Sequence, residues 1–407
     1  MEAMSSTQTA SASPLAADLR GHWNLHPDVH FLNHGSFGAC PAEVLEKQTI
    51  WRMRMEREPV KFLGREILGH LDEARGVLAE FVGADPGGLV FVPNATTGVN
   101  AVLRSMEFEA GDELVITNHG YNACNNVARY VTERAGAKVV VAQVPFPIES
   151  SEQALEAILA SVTERTKLVL VDHITSPTAL VLPVKRLVEE LHARGVLVLI
   201  DGAHAPGMLD LNLADIDADY YTGNCHKWLC APKGAAFLWA RADRRDGLRP
   251  AVISHGANTV REGFTRMQDE FDWCGTDDPT AFLCVPEAIR FMGSLVPDGW
   301  DGVRRRNHEL CIAGRRLLLA ELGQEAPAPE SMLGSIASVI LGPGEQCAQR
   351  GAFSVDPLQT RLFEEHHVEV PISTWPEAPS RVMRISAQLY NEIGDMQALV
   401  AGLAATR

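Results

Sequence analysis

Lys227 and Asp201 are the residues whose types and spacing most directly suggest chemistry. Lys227 lies in the stretch Asp219-Tyr-Tyr-Thr-Gly-Asn-Cys-His-Lys-Trp, and Asp201 ends an apolar run upstream. A lysine in surroundings poor in charge has a lowered pKa, so its free amine can condense with an aldehyde. A carboxylate at the end of a buried strand can keep a pyridinium nitrogen protonated. The pair predicts a site for pyridoxal 5'-phosphate (PLP), in which His204 either donates to the ring hydroxyl or is a satisfied polar residue.

The stretch Asn94-Ala-Thr-Thr-Gly carries residues that could hold the phosphate of this cofactor. It follows the predicted strand 89–92 and opens a predicted helix, where unpaired backbone N–H groups favour an anion. We therefore expect Thr96, Thr97 and Gly98 at the phosphate. The same pattern also serves as an ordinary helix cap, so it supports the PLP prediction without establishing it.

Helix and strand patterns alternate between residues 68 and 240. The strands are continuous apolar runs, which indicates a mostly parallel α/β sheet with helices on both faces. Ligands of such sheets bind beyond the carboxyl ends of the strands, where Asp201 lies. The predicted strands are 89–92, 113–117, 137–142, 167–171 and 196–200, and the predicted helices are 71–82, 97–106, 121–136, 152–162 and 184–194.

The chain is predicted to have three parts. Residues 1–30 form a polar segment that is disordered or arm-like, residues 31–290 form the large PLP-binding domain, and residues 291–407 form a smaller α+β domain. The predicted elements of the smaller domain are a helix at 300–323, a linker at 325–330, and strands at 335–341 and 382–387.

The composition excludes several classes of function. The chain has 407 residues, 46% of them apolar, and a net charge of −16, which disfavours a nucleic-acid partner. No apolar run approaches the roughly 20 residues of a membrane span, and the N-terminus lacks the features of a signal peptide. The eight cysteines show no disulfide or metal spacing, so we interpret Cys225 and Cys230 as packing residues of a reduced, cytoplasmic protein.

These motifs resemble the isopenicillin N epimerase family, within the class V aminotransferase and cysteine desulfurase group of fold-type I PLP enzymes. The resemblance extends from Phe31 to about Leu403 and implies a seven-stranded sheet in a homodimer. The stretches that carry it are Leu32-Asn-His-Gly-Ser-Phe-Gly, Asn94-Ala-Thr-Thr-Gly-Val-Asn, Asp172-His-Ile-Thr-Ser-Pro-Thr, Asp201-Gly-Ala-His-Ala-Pro-Gly-Met, Thr222-Gly-Asn-Cys-His-Lys-Trp, Gly275-Thr-Asp-Asp-Pro and Arg384-Ile-Ser-Ala-Gln-Leu-Tyr-Asn.

The resemblance also implies roles for individual residues. Lys227 would form the Schiff base with PLP, Asp201 would pair with the pyridine nitrogen, and Tyr121 lies near the position that stacks on the ring. Further cofactor contacts that it implies are His173, Ser176 and His204 at the ring, Thr97, Asn224 and His226 at the phosphate, and Thr276 at the phosphate of the other subunit. Substrate contacts that it implies are Arg384 for the α-carboxylate and, from the segment 31–65 that closes over the site, Asn33, His34 and Ser36.

Several reactions remain open for such a site. Epimerisation at Cα of an amino acid or amino-acid-bearing peptide is the first expectation, with Lys227 as proton acceptor and a second donor such as Tyr121. A C–S β-lyase acting on a cysteine conjugate or its sulfoxide is the alternative, and an aminotransferase is a third. The stretch 365–381 contains no cysteine, which disfavours a persulfide-forming desulfurase.

Two further readings lie outside PLP catalysis. Asp172, His173, Asp201 and His204 could form the ligand set of a metal hydrolase, although this reading gives Lys227 no function. A catalytically silent scaffold is the other alternative, but no basic helix-turn-helix pattern accompanies the site. Both are less consistent with the motifs than a PLP enzyme without a metal.

Overall fold

The computed structural model describes residues 19–344 and 354–406. Its strands are β1 (His30–Phe31), β2 (Leu89–Val92), β3 (Glu113–Thr117), β4 (Lys138–Ala142), β5 (Thr166–Asp172), β6 (Leu197–Asp201), β7 (Tyr220–Asn224), β8 (Ala236–Ala240), β9 (Ile336–Leu341), β10 (Val368–Glu369), β11 (Ile372–Thr374) and β12 (Arg381–Ser386). Its α-helices are His34–Phe37, Ala42–Arg57, Pro59–Lys61, Ile67–Phe81, Ala95–Ser105, Asn122–Ala135, Ser151–Ala160, Val184–His192, Leu213–Ile216, Arg266–Asp272, Thr280–Leu283, Val285–Ser294, Gly299–Leu322, Pro357–His366 and Ile393–Thr406, and a π-helix covers Phe62–Glu66.

The large sheet has seven strands in the order β2-β8-β7-β6-β5-β3-β4. β8 runs antiparallel to β2 and β7, whereas the other neighbouring strands are parallel. The predicted mostly parallel α/β sheet is confirmed. The carboxyl ends of β5, β6 and β7 meet at one edge, where Asp172, Asp201 and Thr222 are register partners.

Alternate residues of the central strands belong to different hydrophobic clusters. Val169 and Val171 pack into one cluster, and Leu168 and Leu170 pack into the other. Since successive side chains of a strand point to opposite faces, both faces of β5 are covered. This double burial explains why the strands are continuous apolar runs in the sequence.

The smaller C-terminal unit is built around the antiparallel sheet β11-β12-β9. The helices Gly299–Leu322, Pro357–His366 and Ile393–Thr406 pack with it around a third hydrophobic cluster. β1 pairs with β10, and Leu32 belongs to this same cluster. The chain between residues 30 and 32 therefore joins the C-terminal unit before it reaches the large sheet.

The predicted N-terminal segment divides into two parts. Residues 1–18 lie outside the described residues. Residues 19–30 pack against the rest of the chain, since Leu19 and Trp23 are buried and the Trp23 indole donates to the carbonyl of Ala39 at 3.2 Å. Over the described ranges, no helix is both long and apolar enough to cross a membrane.

Candidate active site

A cavity of about 500 Å³ lies at the carboxyl ends of β5, β6 and β7. The structure brings nine of the predicted site residues to its wall, namely Ser36, Thr96, Tyr121, Ser176, Asp201, His204, Asn224, His226 and Lys227. Arg384 contacts two of these residues from the C-terminal unit. Residues from seven separate stretches of the chain therefore meet at one place, as expected from the topology of the sheet.

Lys227 follows β7 and presents its amine to the cavity, 3.1 Å from Nε2 of His204. The Trp228 indole N–H donates to Nδ1 of His204 at 3.4 Å, so a neutral imidazole carries its proton on Nε2. Removal from water keeps the pKa of His204 well below its usual value. Burial, and then the charge of Arg384, lower the pKa of Lys227 to about 7. With a pKa of about 7, about half of the Lys227 amine is uncharged at neutral pH, and this form can accept a hydrogen bond from His204.

Asp201 and Asp172 face the cavity side by side on neighbouring strands. Cys124 Sγ donates to Asp201 Oδ2 at 3.1 Å, and the Ala203 N–H donates to Oδ1 at 3.0 Å. Burial raises the pKa of both carboxyl groups, and the charge of Asp201 raises that of Asp172 further. Two carboxyl groups in this environment favour a cationic partner, and the protonated pyridine nitrogen of PLP would supply one.

His173 does not line the cavity, in contrast to the expectation that it contacts the ring. Its Nδ1 lies 2.8 Å from the hydroxyl of Tyr221, and its side chain points to the opposite face of the sheet from Asp172. The two-residue period of a strand explains this result, because Asp172 and Leu170 share one face. Asp172 does line the cavity, although the sequence analysis considered it only as a metal ligand.

The phosphate side of the cavity is the start of helix Ala95–Ser105. Asn94 caps the helix by accepting from the Thr97 N–H at 2.8 Å, and Asn224 accepts from the Ala95 N–H at 2.9 Å. Thr96 lines the cavity. The N–H groups of Ala95 and Thr97 are thus bonded within the protein. The positive end of the helix still favours an anion, so the phosphate contact of Thr96 stays a prediction.

Gly98 has a packing function in the structure. Its N–H donates to the carbonyl of Asn94 at 3.2 Å, and a Cβ there would lie 2.3 Å from Oγ1 of Thr222. The glycine therefore lets the helix approach β7 closely, and its contact with the phosphate stays a prediction. Thr97 and Thr276 line a neighbouring cavity of about 350 Å³ instead of the one that contains Lys227.

Arg384 is a buried cation without a carboxylate partner among the described residues. Its guanidinium donates to the carbonyl of Ser176 at 2.6 Å, to the Ser176 hydroxyl at 3.0 Å and to the Ser36 hydroxyl at 3.2 Å. Its Nε has no hydrogen-bond partner within the described chain. Burial lowers its pKa to about 10, so it remains charged at neutral pH. Such a group favours an anionic ligand, as the carboxylate of an amino acid would be.

Of the N-terminal residues Asn33, His34 and Ser36, only Ser36 lines the cavity. Asn33 donates to Glu369 at 3.0 Å and accepts from Ser36 at 2.5 Å. His34 is fully buried, with Nε2 2.9 Å from the carbonyl oxygen of Lys227. Both side chains are therefore engaged within the protein, and their contact with substrate stays a prediction.

Tyr121 and His226 complete the wall. Tyr121 precedes helix Asn122–Ala135 and is 48% exposed, and burial of its remaining surface raises the pKa of its phenol. Nδ1 of His226 donates to the carbonyl of Ala235 at 3.0 Å.

In residues 19–344 and 354–406, no group of three or more His, Cys, Asp or Glu side chains is arranged to hold a metal ion, so the metal hydrolase reading finds no ligand set there.

Fold and site together define a PLP-dependent enzyme. The aminotransferase class V family model matches residues 40–399, and the chain belongs to this family. It is 33% identical to isopenicillin N epimerase of Streptomyces clavuligerus, over 95% of this chain and 97% of that protein. It is 31% identical to a probable chloroplastic L-cysteine desulfhydrase of Arabidopsis thaliana, over 96% of this chain and 84% of that protein.

The fold is also found among solved structures. A mutant of C-DES, with glycine covalently linked to its PLP cofactor, superposes with a TM-score of 0.76. The two sequences are 20% identical, and the match covers 95% of this chain and 98% of that one. The similarity confirms the fold class.

Proposed function

We propose that this enzyme inverts the configuration at Cα of an amino acid or an amino-acid-bearing substrate. The observation that carries the proposal is the presence of an amine and a phenol at the wall of one cavity, on Lys227 and Tyr121. The guanidinium of Arg384 contacts two other residues of that wall, Ser36 and Ser176, and has no carboxylate partner among the described residues. When bound, PLP would withdraw electrons from the substrate Cα and acidify its hydrogen. Thr96, Asn224 and His226 would hold its phosphate.

Arg384 would orient the substrate. Its guanidinium would bind the α-carboxylate while its contacts with Ser36 and Ser176 hold the group in place. Because the strand β12 and the N-terminal segment both contribute to this contact, the carboxylate is fixed relative to both. This orientation directs the Cα hydrogen toward a defined side of the cavity.

Two proton-transfer groups are needed for inversion. Nζ of Lys227 would take the Cα proton, since its pKa of about 7 leaves about half of the amine free at neutral pH. The Tyr121 phenol would return a proton on the opposite side. It is protonated at neutral pH because the pKa of a phenol is about 10, and burial raises that pKa further. The charge of Arg384 opposes this rise.

A C–S β-lyase is the second candidate. It requires Lys227 as the base and a sulfur leaving group on Cβ, and it does not require Tyr121 as a donor. The relative named as a probable L-cysteine desulfhydrase supports this candidate. On L-cysteine, such an enzyme would release sulfide and yield pyruvate and ammonia.

The two functions are distinguished by incubating the holoenzyme in D2O with L-amino acids and cysteine conjugates. Inverted product that carries deuterium at Cα, without pyruvate, is expected for the epimerase. In Tyr121→Phe, exchange should continue with retained configuration because Lys227 alone returns the proton. Tyr130→Phe is the matched control, since Tyr130 lies on the adjoining helix and is 46% exposed. Release of pyruvate without inverted product would contradict the epimerase proposal and support the lyase.

A further inference from the structure

His34 contacts the backbone of the residue that bears the reactive amine. Nε2 of the imidazole lies 2.9 Å from the carbonyl oxygen of Lys227, which also accepts from the Cys230 N–H at 3.0 Å. Nδ1 lies 2.8 Å from the hydroxyl of Tyr390. The imidazole is fully buried and tilts against the Trp228 ring at 4.8 Å between centroids.

The hydrogen bonds of His34 define its tautomer. A carbonyl oxygen only accepts, so Nε2 carries the proton, and Nδ1 accepts from the Tyr390 hydroxyl. Burial lowers the pKa of His34 to about 3, so the ring is neutral across the working pH range. The imidazole is therefore a fixed, uncharged donor to Lys227, held in place by a residue of the C-terminal unit.

The same short segment also touches Arg384. The Gly35 N–H donates to Ser386 on β12 at 3.1 Å, and Ser36 accepts from the Arg384 guanidinium. Residues 34–36 thus bridge the backbone of the amine-bearing lysine and the side chain of the buried arginine. The spacing between these two groups depends on this bridge.

We propose that His34 is a positioning residue that sets the location of the Lys227 amine relative to Arg384. The proposal rests on the proposed function, because it assumes that Lys227 reacts with a substrate held by Arg384. Loss of the donor would let the turn after β7 relax. A misplacement of about 1 Å at a reacting group lowers the rate about 100-fold.

The test compares the variants His34→Leu, His34→Gln and Tyr390→Phe. In the apoprotein, the rate at which PLP attaches to Lys227 is measured by borohydride trapping and mass spectrometry. In the holoenzyme, kcat and KM are measured separately. His34→Leu should slow attachment and lower kcat by about 10- to 100-fold, with a smaller change in KM. His34→Gln should restore most of both, because its amide can donate to Lys227 and accept from Tyr390.

Tyr390→Phe keeps the volume of the side chain and removes the hydroxyl that holds the tautomer, so a smaller loss in the same direction is expected. Tyr390→Phe also tests the proposal if His34→Leu does not fold.

The matched control is His119→Leu. His119 is equally buried, with Nδ1 2.6 Å from the Thr178 hydroxyl and Nε2 3.0 Å from the carbonyl of Val144.

The control separates positioning from general stability. His119→Leu should lower the melting temperature as His34→Leu does, yet leave attachment at Lys227 and kcat near the wild-type values. Equal effects of the two substitutions on attachment and kcat would overturn the proposal, as would wild-type values in His34→Leu and Tyr390→Phe. In each case the proposed function is tested separately, by inversion and deuterium uptake at Cα in the wild-type enzyme. A trapped adduct elsewhere would overturn both.

Discussion

The charge state of Lys227 depends on two features of its immediate surroundings. Burial is the larger cause of its lowered pKa, and the nearby charge of Arg384 is the second. The carboxyl groups of Asp201 and Asp172 oppose this effect only in part. Neutral Nζ can attack an aldehyde, so the local environment prepares the residue for covalent chemistry.

The pH dependence of PLP attachment should report this environment. A lysine whose pKa is lowered to about 7 becomes a free amine as pH rises through 7, whereas an ordinary lysine does so near 10.5. The rate of borohydride-trapped attachment to the apoprotein should therefore rise with a midpoint near pH 7. In Arg384→Met the midpoint should move to higher pH, because a positive neighbour is lost. Each unit of movement lowers the free-amine fraction below the midpoint about tenfold.

Arg381→Met provides the control for that experiment. Arg381 lies on the same strand as Arg384 but pairs with Asp356 at 2.9 Å, away from the cavity. Its loss should leave the midpoint unchanged. A midpoint of attachment near pH 10 in the wild-type protein, or one that does not change in Arg384→Met, would contradict this account of Lys227.

At the scale of elements, the doubly buried strands were the most predictable part of the fold. β2 and β3 coincide with their predicted ranges, since apolar side chains on both faces leave a continuous signal in the sequence. The same signal carries no strand direction, and β7 and the antiparallel β8 were not among the predicted strands. Helix Ala42–Arg57 was not predicted, because Val44 and Met55 are its only buried apolar residues.

The candidate site was likewise predictable only in part from the sequence. Asp201 could be identified because it ends an apolar strand, and Lys227 because it lies in a distinctive stretch that is poor in charge. The role of His34 could not, because its partners Lys227 and Tyr390 are distant in sequence and are brought together only by packing of the two units. His173 was expected at the ring, whereas Asp172 lines the cavity. Adjacent residues of a strand point to opposite faces, and the sequence did not indicate which of the two faces the cavity.

The contact of segment 34–38 with the turn that bears Lys227 depends on Gly38. Gly38 has a φ of 72°, and a Cβ there would lie 2.0 Å from the carbonyl oxygen of His226. Gly38→Ala should therefore destabilise the protein by about 2–5 kcal/mol and slow PLP attachment at Lys227, measured by melting and by trapping. Gly195→Ala is the matched control, because Gly195 has a φ of 74° with nothing within 4 Å.

Comparing the two glycine substitutions separates the effect of the contact with His226 from the effect of backbone strain. Gly195→Ala should cost only the strain of a left-handed residue, about 1–2 kcal/mol, and leave attachment unaffected. If the two substitutions were equally mild, the segment would have room to move away from His226, and its close approach would not matter for Lys227.

At the scale of the whole molecule, the site depends on the assembly of separate parts of the chain. Ser36, Lys227 and Arg384 come from the N-terminal segment, the large sheet and the C-terminal unit. Thr276 lines the cavity next to the one that contains Lys227. The family resemblance assigns Thr276 to the phosphate of a neighbouring subunit, so we expect a homodimer in which each site is completed by its partner.

Subunit mixing tests this arrangement directly. Lys227→Ala should be inactive, and Thr276→Ala should weaken PLP binding by about 10- to 100-fold, the effect of losing a hydrogen bond to a charged group. A hybrid dimer of the two variants contains one site with an intact Lys227. If Thr276 acts across the interface, the Lys227→Ala subunit supplies it to that site. Mixing the variants at limiting PLP should then restore activity, up to about half that of wild type per hybrid dimer. If Thr276 acts within its own chain, the only site with Lys227 also lacks Thr276, and mixing restores nothing.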